Sequence, residues 1–214
     1  MPYTEKQNLI WNPTPLCGHR SLYATLKPLL GVSGAMPHSA MKGGVFKRKY
    51  SDQWKSMTSF VVVRPTVERF VSAIARLGGV SSDAPANLQE LANCYLDGGV
   101  SAVIEKLRST PTGKRHPWFW AQSSFLCAGV DHVVPLHFLS RFIAEKAKIN
   151  LRHDNVTPQR DKTRLTDEEK QDVLSLFSRD EKVFENTPVW HPGDGRMVFK
   201  LYGECRPCNA HLRP

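Results

Sequence analysis

An α/β fold with a central parallel sheet flanked by helices is predicted by two strand–turn–helix units and by the crossovers that parallel neighbours require. In the first unit, Leu9, Ile10 and Trp11 form a short apolar run ended by Asn12, Pro13 and Pro15. Apolar residues then fall at Leu22, Leu26, Leu29 and Leu30, a helical spacing. In the second, residues 60–63 have the β-branched character of a strand buried on both faces. Val67, Phe70, Val71, Ile74 and Leu77 follow on one helix face, closed by Gly78-Gly79.

The remaining elements read in order. A second short strand is expected near residues 31–36, and residues 41–50, rich in Gly and Lys without periodicity, read as a surface loop. Residues 86–96 and 100–107 are helical, parted by Asp97-Gly98-Gly99. Residues 130–135 predict a third buried strand and 136–149 a helix after it. Thr166 with Glu169 three residues later is a capping box, opening an amphipathic helix through Val173, Leu176, Phe177 and Val183. The tail from 187 to 214 reads as mostly irregular.

At 214 residues the chain fits a single domain, since domains mostly fall between about 50 and 250 residues. Lys and Arg outnumber Asp and Glu by 29 to 20, a net charge of +9, so the long-range field concentrates anions. Charge alone does not separate a nucleotide, a sulfated glycan, nucleic acid or an acidic membrane surface. The first residues lack a signal-peptide core and no run approaches about 18 apolar residues, so a soluble, cytoplasmic protein without membrane anchor is expected. Five cysteines, at 17, 94, 127, 205 and 208, do not form a secreted disulfide framework. Cys205 and Cys208 with His211 are one half of a zinc site and read as plain thiols.

Chemistry concentrates at the two turns. In Pro15-Leu16-Cys17-Gly18-His19-Arg20-Ser21-Leu22 a glycine sits where strand passes to helix, so first-turn amides and the helix dipole can face one anion, with Arg20 and Ser21 adding side-chain donors. A nucleoside-triphosphate loop would end in Gly-Lys-Ser/Thr, which is missing here. Arg64 ends a buried strand, the place where open α/β sheets bind ligands. It can grip a phosphate bidentately, with Ser72 on the following helix as a second donor. Arg69 points away from Ser72 on the wheel and reads as half of a structural ion pair.

The first turn resembles the 5′-phosphosulfate loop, Pro-Lys-x-Gly-x-x-Ser, of the sulfotransferases, particularly the carbohydrate (Golgi-type) members. The stretch from Phe60 through Arg64, Arg69 and Ser72 to Ala73 resembles that family's 3′-phosphate motif, Phe-x-Val-Arg-Asp-Pro-x-x-Arg-x-x-Ser-Ala. His116-Pro117-Trp118-Phe119-Trp120-Ala121-Gln122-Ser123 is similar to the family's His-aromatic-x-Pro-Gln segment, and residues 174–184 to its late helix. The resemblance implies a P-loop-like sulfotransferase fold and a co-substrate, 3′-phosphoadenosine 5′-phosphosulfate (PAPS), that leaves as adenosine 3′,5′-bisphosphate, with no metal. It implies that Cys17, Gly18, His19, Arg20, Ser21 and Leu22 bind the 5′-phosphosulfate, chiefly through amides. Arg64 and Ser72 would bind the 3′-phosphate, and the acceptor would be a hydroxyl, on a carbohydrate rather than nucleic acid.

Two departures stand out: Leu16 replaces the family lysine, and Pro65-Thr66 replaces Asp-Pro. A leucine cannot stabilise a leaving phosphate, so Arg20, His19 or a lysine from elsewhere supplies the charge, or the protein binds without catalysing. His38, after the expected second strand where the family places its base, is the first choice to take the acceptor's proton, with His19 the rival. Lys42, Lys47, Arg48 and Lys49 could recruit an acidic acceptor such as a uronic-acid glycan. Two other readings remain: a nucleotide kinase with a degenerate phosphate loop, and a catalytically impaired nucleotide or polyanion binder.

Overall fold

The computed structural model describes residues 3–26, 41–151, 163–184, 187–192, 197–198 and 206–207. Four strands, β1 (Tyr3–Thr4), β2 (Leu9–Asn12), β3 (Thr58–Val63) and β4 (His132–Pro135), lie side by side in that order. Strands β2, β3 and β4 are parallel and β1 is antiparallel to β2. The expected α/β class with an open, mostly parallel sheet therefore holds. The register places Asn12 beside Val61 and Val63 beside Pro135, so the three parallel strands end at one edge.

Eight helices are described: α1 (His19–Leu26), α2 (Gly43–Lys49), α3 (Ser51–Ser56), α4 (Thr66–Leu77), α5 (Ala86–Ser109), α6 (Leu139–Ala147), α7 (Asp167–Leu176) and α8 (Ser178–Phe184). Alternation along the strands assigns the helices to faces, because successive strand side chains point to opposite sides. Leu9, Trp11, Phe60, Val62 and Val134 pack with Leu22 and Leu26 of α1 and with Leu139, Phe142 and Ile143 of α6. Ile10 packs with Phe46, Trp54 and Cys127, and Val61, Val63 and Val133 with Phe125 and Phe184. A fourth apolar cluster joins Phe70, Ile74 and Leu77 of α4 to α5, α7 and Phe119.

Several expectations change. Residues 41–50 hold α2 rather than a loop. The helix is anchored by Phe46, buried among Ile10 and Trp54, and by Gly43, whose added Cβ would lie 1.7 Å from the Leu126 carbonyl oxygen. Only glycine permits that approach. The expected helix over 136–149 begins as a 3-10 turn, Leu136–Phe138, and α6 stops at Ala147, before Lys148 at φ 57°. The break expected at Gly98-Gly99 is present: both glycines have non-helical angles and kink α5 between its two helical halves. The capping box at Thr166 and Glu169 is made in both directions, but the helix it opens breaks at Phe177 into α7 and α8. The tail contributes three short antiparallel strands, β5 (Pro188–Val189), β6 (Met197–Val198) and β7 (Arg206–Pro207). Trp190 beside them donates its N–H to the Val133 carbonyl at 2.8 Å. The expected strand at 31–36, Leu29, Leu30, His38, Cys205, Cys208 and His211 lie outside the described residues.

Candidate functional site

The end of β2 is shaped by backbone. Asn12 is buried and its side-chain amide donates to the Phe125 carbonyl at 2.7 Å and to the Met41 carbonyl at 3.1 Å. Beyond it, Leu16 and Gly18 take left-handed angles, φ 65° and 72°. For leucine that conformation costs about 1 to 3 kcal/mol, offset here by burying the Leu16 side chain among Phe70, Ala73 and their neighbours. The residue standing at the family's lysine position is thus part of the core. A Cβ on Gly18 would come within 2.7 Å of Leu136 Cδ1, so the turn presses against the chain leaving β4. Helix α1 opens as the Leu22 N–H reaches the Gly18 carbonyl at 3.0 Å.

The candidate binding residues of this turn divide by exposure. Arg20 is exposed and close enough to Arg76 to lower that guanidinium's proton affinity, after burial. Leu22, expected to bind through its amide, is fully buried and its N–H is already held by the Gly18 carbonyl, so it offers no donor. The Cys17 thiol is buried and donates to Gln122 Oε1 at 3.5 Å; burial pushes it up to about 11. It is a neutral packing group, not a nucleophile.

The end of β3 is shaped by side chains. Arg64 Nη1 donates to Ser72 Oγ at 2.6 Å, and Arg64 Nε to Glu68 Oε2 at 3.2 Å. Arg64 and Ser72, eight residues apart, therefore converge as expected, with Glu68 held on the same guanidinium. The Arg64 backbone is fixed by Gln122, whose Oε1 accepts the Arg64 N–H at 2.9 Å and whose Nε2 donates to the Arg64 carbonyl at 2.7 Å.

A buried brace connects the two turns. Arg69 was expected in an ion pair; instead it donates to three carbonyls, Pro15 at 3.2 Å, Trp120 at 2.8 Å and Pro117 at 3.3 Å. A guanidinium removed from water needs its donors satisfied, and these carbonyls do so. Burial lowers its proton affinity while Cys17 and Asp180 oppose this. Asp180, also buried, accepts from the Gln122 and Ser123 amides, both at 2.8 Å. Burial raises its carboxyl against those bonds. His116 caps the 3-10 turn Pro117–Phe119 by accepting the Trp118 N–H, and burial pushes its imidazole down to about 4. It is a neutral structural acceptor.

The third strand end carries a residue the sequence reading passed over. His137 lies two residues beyond β4 in the turn that packs on Gly18. Its ring rests on Phe138, 4.1 Å between centroids. Burial lowers its proton affinity, Glu68 raises it and His191 lowers it further. The available signal was its position just past the third strand, corresponding to Gly18 and Arg64 after theirs. The basic cluster is spread out: Lys42 lies over the Trp120 ring at 5.5 Å, whereas Lys47 donates at 2.7 Å to the Ala128 carbonyl in the segment leading into β4. Two described cavities, about 380 and 580 Å³, lie along α5, one beside Lys106 and His116 and one against α7. Among the described residues no group of three or more His, Cys, Asp or Glu is placed to hold a metal ion. None of the described helices is long and apolar enough to cross a membrane.

Compared with protein-family models, with curated proteins and with solved structures, the chain matches none. Fold and site define an open α/β protein with its polar side chains gathered where three parallel strands end.

Proposed function

We propose that the chain is a PAPS-dependent sulfotransferase with the P-loop-like fold of that family, moving a sulfuryl group to a hydroxyl acceptor on a carbohydrate. The observation that carries the reading is the convergence of Arg64 Nη1 and Ser72 Oγ at 2.6 Å beyond a buried parallel strand. Two donors that meet there can share one phosphate, and a guanidinium binds phosphate more strongly than a hydroxyl does. In this reading Arg64 and Ser72 take the 3′-phosphate, and the amides from Gly18 to Ser21 take the 5′-phosphosulfate at the α1 N-terminus.

The acceptor oxygen attacks sulfur in line, and adenosine 3′,5′-bisphosphate leaves carrying the electron pair of the broken bond. Such a transfer depends on positioning and fixed positive charge. Because Leu16 is core, exposed Arg20 is the nearer candidate for that charge, with His19 its rival. The sequence nominates His38 for the acceptor's proton. The basic residues of α2 favour an acidic glycan acceptor, and a cytoplasmic location without membrane or nucleic-acid partners belongs to the same reading. The burial of Leu16 favours one second reading, a protein that binds the nucleotide but transfers nothing.

Thermal unfolding with adenosine 3′,5′-bisphosphate tests the binding. At about 100 times its dissociation constant the ligand adds about 2.7 kcal/mol, raising the midpoint in the wild type and little in Arg64→Ala. ATP with magnesium gives the smaller shift. The reverse order favours a kinase, and binding without sulfate transfer to any glycan favours the second reading.

A further inference from the structure

The two halves of α5 and the segment that follows it enclose the cavity of about 380 Å³ beside Lys106 and His116, at the small end of the range for ligand clefts, about 300 to 1,000 Å³. The bonds that fix its wall leave positive charge over. Asn87 Nδ2 donates to the Lys114 carbonyl at 3.1 Å, and Trp120 Nε1 to the Arg115 carbonyl at 2.7 Å. Arg115 Nε donates to the Thr110 carbonyl at 3.0 Å, while its two terminal nitrogens have no partner among the described residues. Burial lowers the proton affinity of this guanidinium with no carboxylate opposing it. Lys114 also lacks a carboxylate partner among the described residues, whereas Lys106 is paired with Glu90. The same wall carries acceptors. Ser109 Oγ and Thr110 Oγ1 both donate to the Lys106 carbonyl, at 3.0 and 2.7 Å, so each hydroxyl keeps only its lone pairs for a ligand, and Glu90 adds a carboxylate.

A ligand that satisfies both sets carries negative charge and hydroxyl donors together. Sulfate offers acceptors alone and would face the lone pairs of Ser109, Thr110 and Glu90; a neutral sugar offers hydroxyls and leaves Arg115 without a counter-charge. We propose that this cavity is a binding site for a sugar acid, a polyhydroxylated ring bearing a carboxylate, with the carboxylate on Arg115 and Lys114 and the hydroxyls on Ser109, Thr110 and Glu90. The end of a guanidinium presents two parallel N–H groups that match the two oxygens of a carboxylate. Leu91 and Leu107, both buried, complete the lining with apolar surface for the C–H face of the ring. The site uses none of Arg64, Ser72 or the turn before α1, so it goes beyond the nucleotide reading and does not depend on it. A free sugar acid and a uronic-acid unit within a glycan present the same groups.

The test is an NMR titration of the full chain with sodium glucuronate. It follows the Trp120 indole N–H, which reports on the cavity wall through its bond to the Arg115 carbonyl and is assigned by its loss in Trp120→Phe. Glucuronate moves this resonance and half-saturates at about 1 mM, the affinity expected of so small a ligand; glucose and sodium sulfate at the same concentration leave it in place. Arg115→Gln weakens glucuronate at least about tenfold, and Lys114→Gln, at an exposed side chain, about threefold. Arg108→Gln removes the same charge from the other α5 cavity and leaves the affinity unchanged. No response to glucuronate, an equal response to sulfate or glucose, or equal weakening in Arg108→Gln, the mark of the general field of a +9 chain, overturns the site. Should Arg115→Gln fail to fold, Lys114→Gln and the comparison of the three probes still decide. An unsulfated chondroitin oligosaccharide separates the sources: saturation below the glucuronate concentration assigns the site to a glycan, and no response assigns it to the free sugar acid. Absence of a thermal shift with adenosine 3′,5′-bisphosphate removes the nucleotide reading and leaves this titration standing.

Discussion

The turn after β2 and the turn after β3 stand at the same edge of one sheet and are built by opposite means. The first takes its shape from backbone angles and buried side chains: Leu16 and Gly18 at positive φ, Leu16 and Cys17 turned inward. The second takes its shape from charged and polar side chains that remain partly open, Arg64 against Glu68 and Ser72. The contrast separates two kinds of sensitivity. Changes in the first turn act on folding and reach binding through it, whereas changes in the second act on binding and leave the fold standing.

The strongest way to break the comparison is to remove what joins its halves. Arg69→Met leaves the Pro15, Pro117 and Trp120 carbonyls without their donor and Asp180 without the nearby positive charge. Losing such a buried network costs about 3 kcal/mol or more, read as a fall in the urea midpoint. Next comes the direct contrast. Gly18→Ala forces a Cβ to within 2.7 Å of Leu136 Cδ1 at φ 72° and destabilises by about 1 to 3 kcal/mol. Arg64→Ala loses a surface ion pair and one hydroxyl bond, shifts stability by about 0.5 kcal/mol or less, and weakens adenosine 3′,5′-bisphosphate at least tenfold. Equal loss of stability in the two variants would erase the distinction.

How much of this was legible in the sequence follows the range of the interactions. Strands β2 and β3 and helix α4 declare themselves because apolar runs and helical spacing are local signals. The convergence of Arg64 with Ser72 was legible too, since a strand end and a helix face fix both positions. Helix α2 was not: two glycines and three successive basic residues carry no periodicity, and its anchor is the fit of Gly43 under Leu126. The carbonyls that Arg69 binds lie 48, 51 and 54 residues away in the chain, beyond any spacing rule, so an ion pair was the natural and mistaken expectation. His137 was hidden because the expected helix over 136–149 absorbed it, although its turn is 3-10.

The smallest effect sharpens the comparison by showing that the brace, like the first turn, is a folding device. His116 accepts the Trp118 N–H next to Pro117, whose carbonyl Arg69 holds. Its folded value of about 4 lies below the ordinary 6.5 because burial disfavours the imidazolium. Unfolding therefore takes up a proton throughout that interval, so the stability contributed by neutral His116 is complete above pH 6.5 and is lost as pH falls towards 4. Partial exposure mutes the effect. Urea midpoints of the wild type should decline across this window, and His116→Asn, which keeps an acceptor without a titrating group, should decline less. Arg64→Ala should follow the wild-type curve, since Arg64 belongs to the turn built for binding; a flattened curve in that variant instead would place both turns in one electrostatic unit.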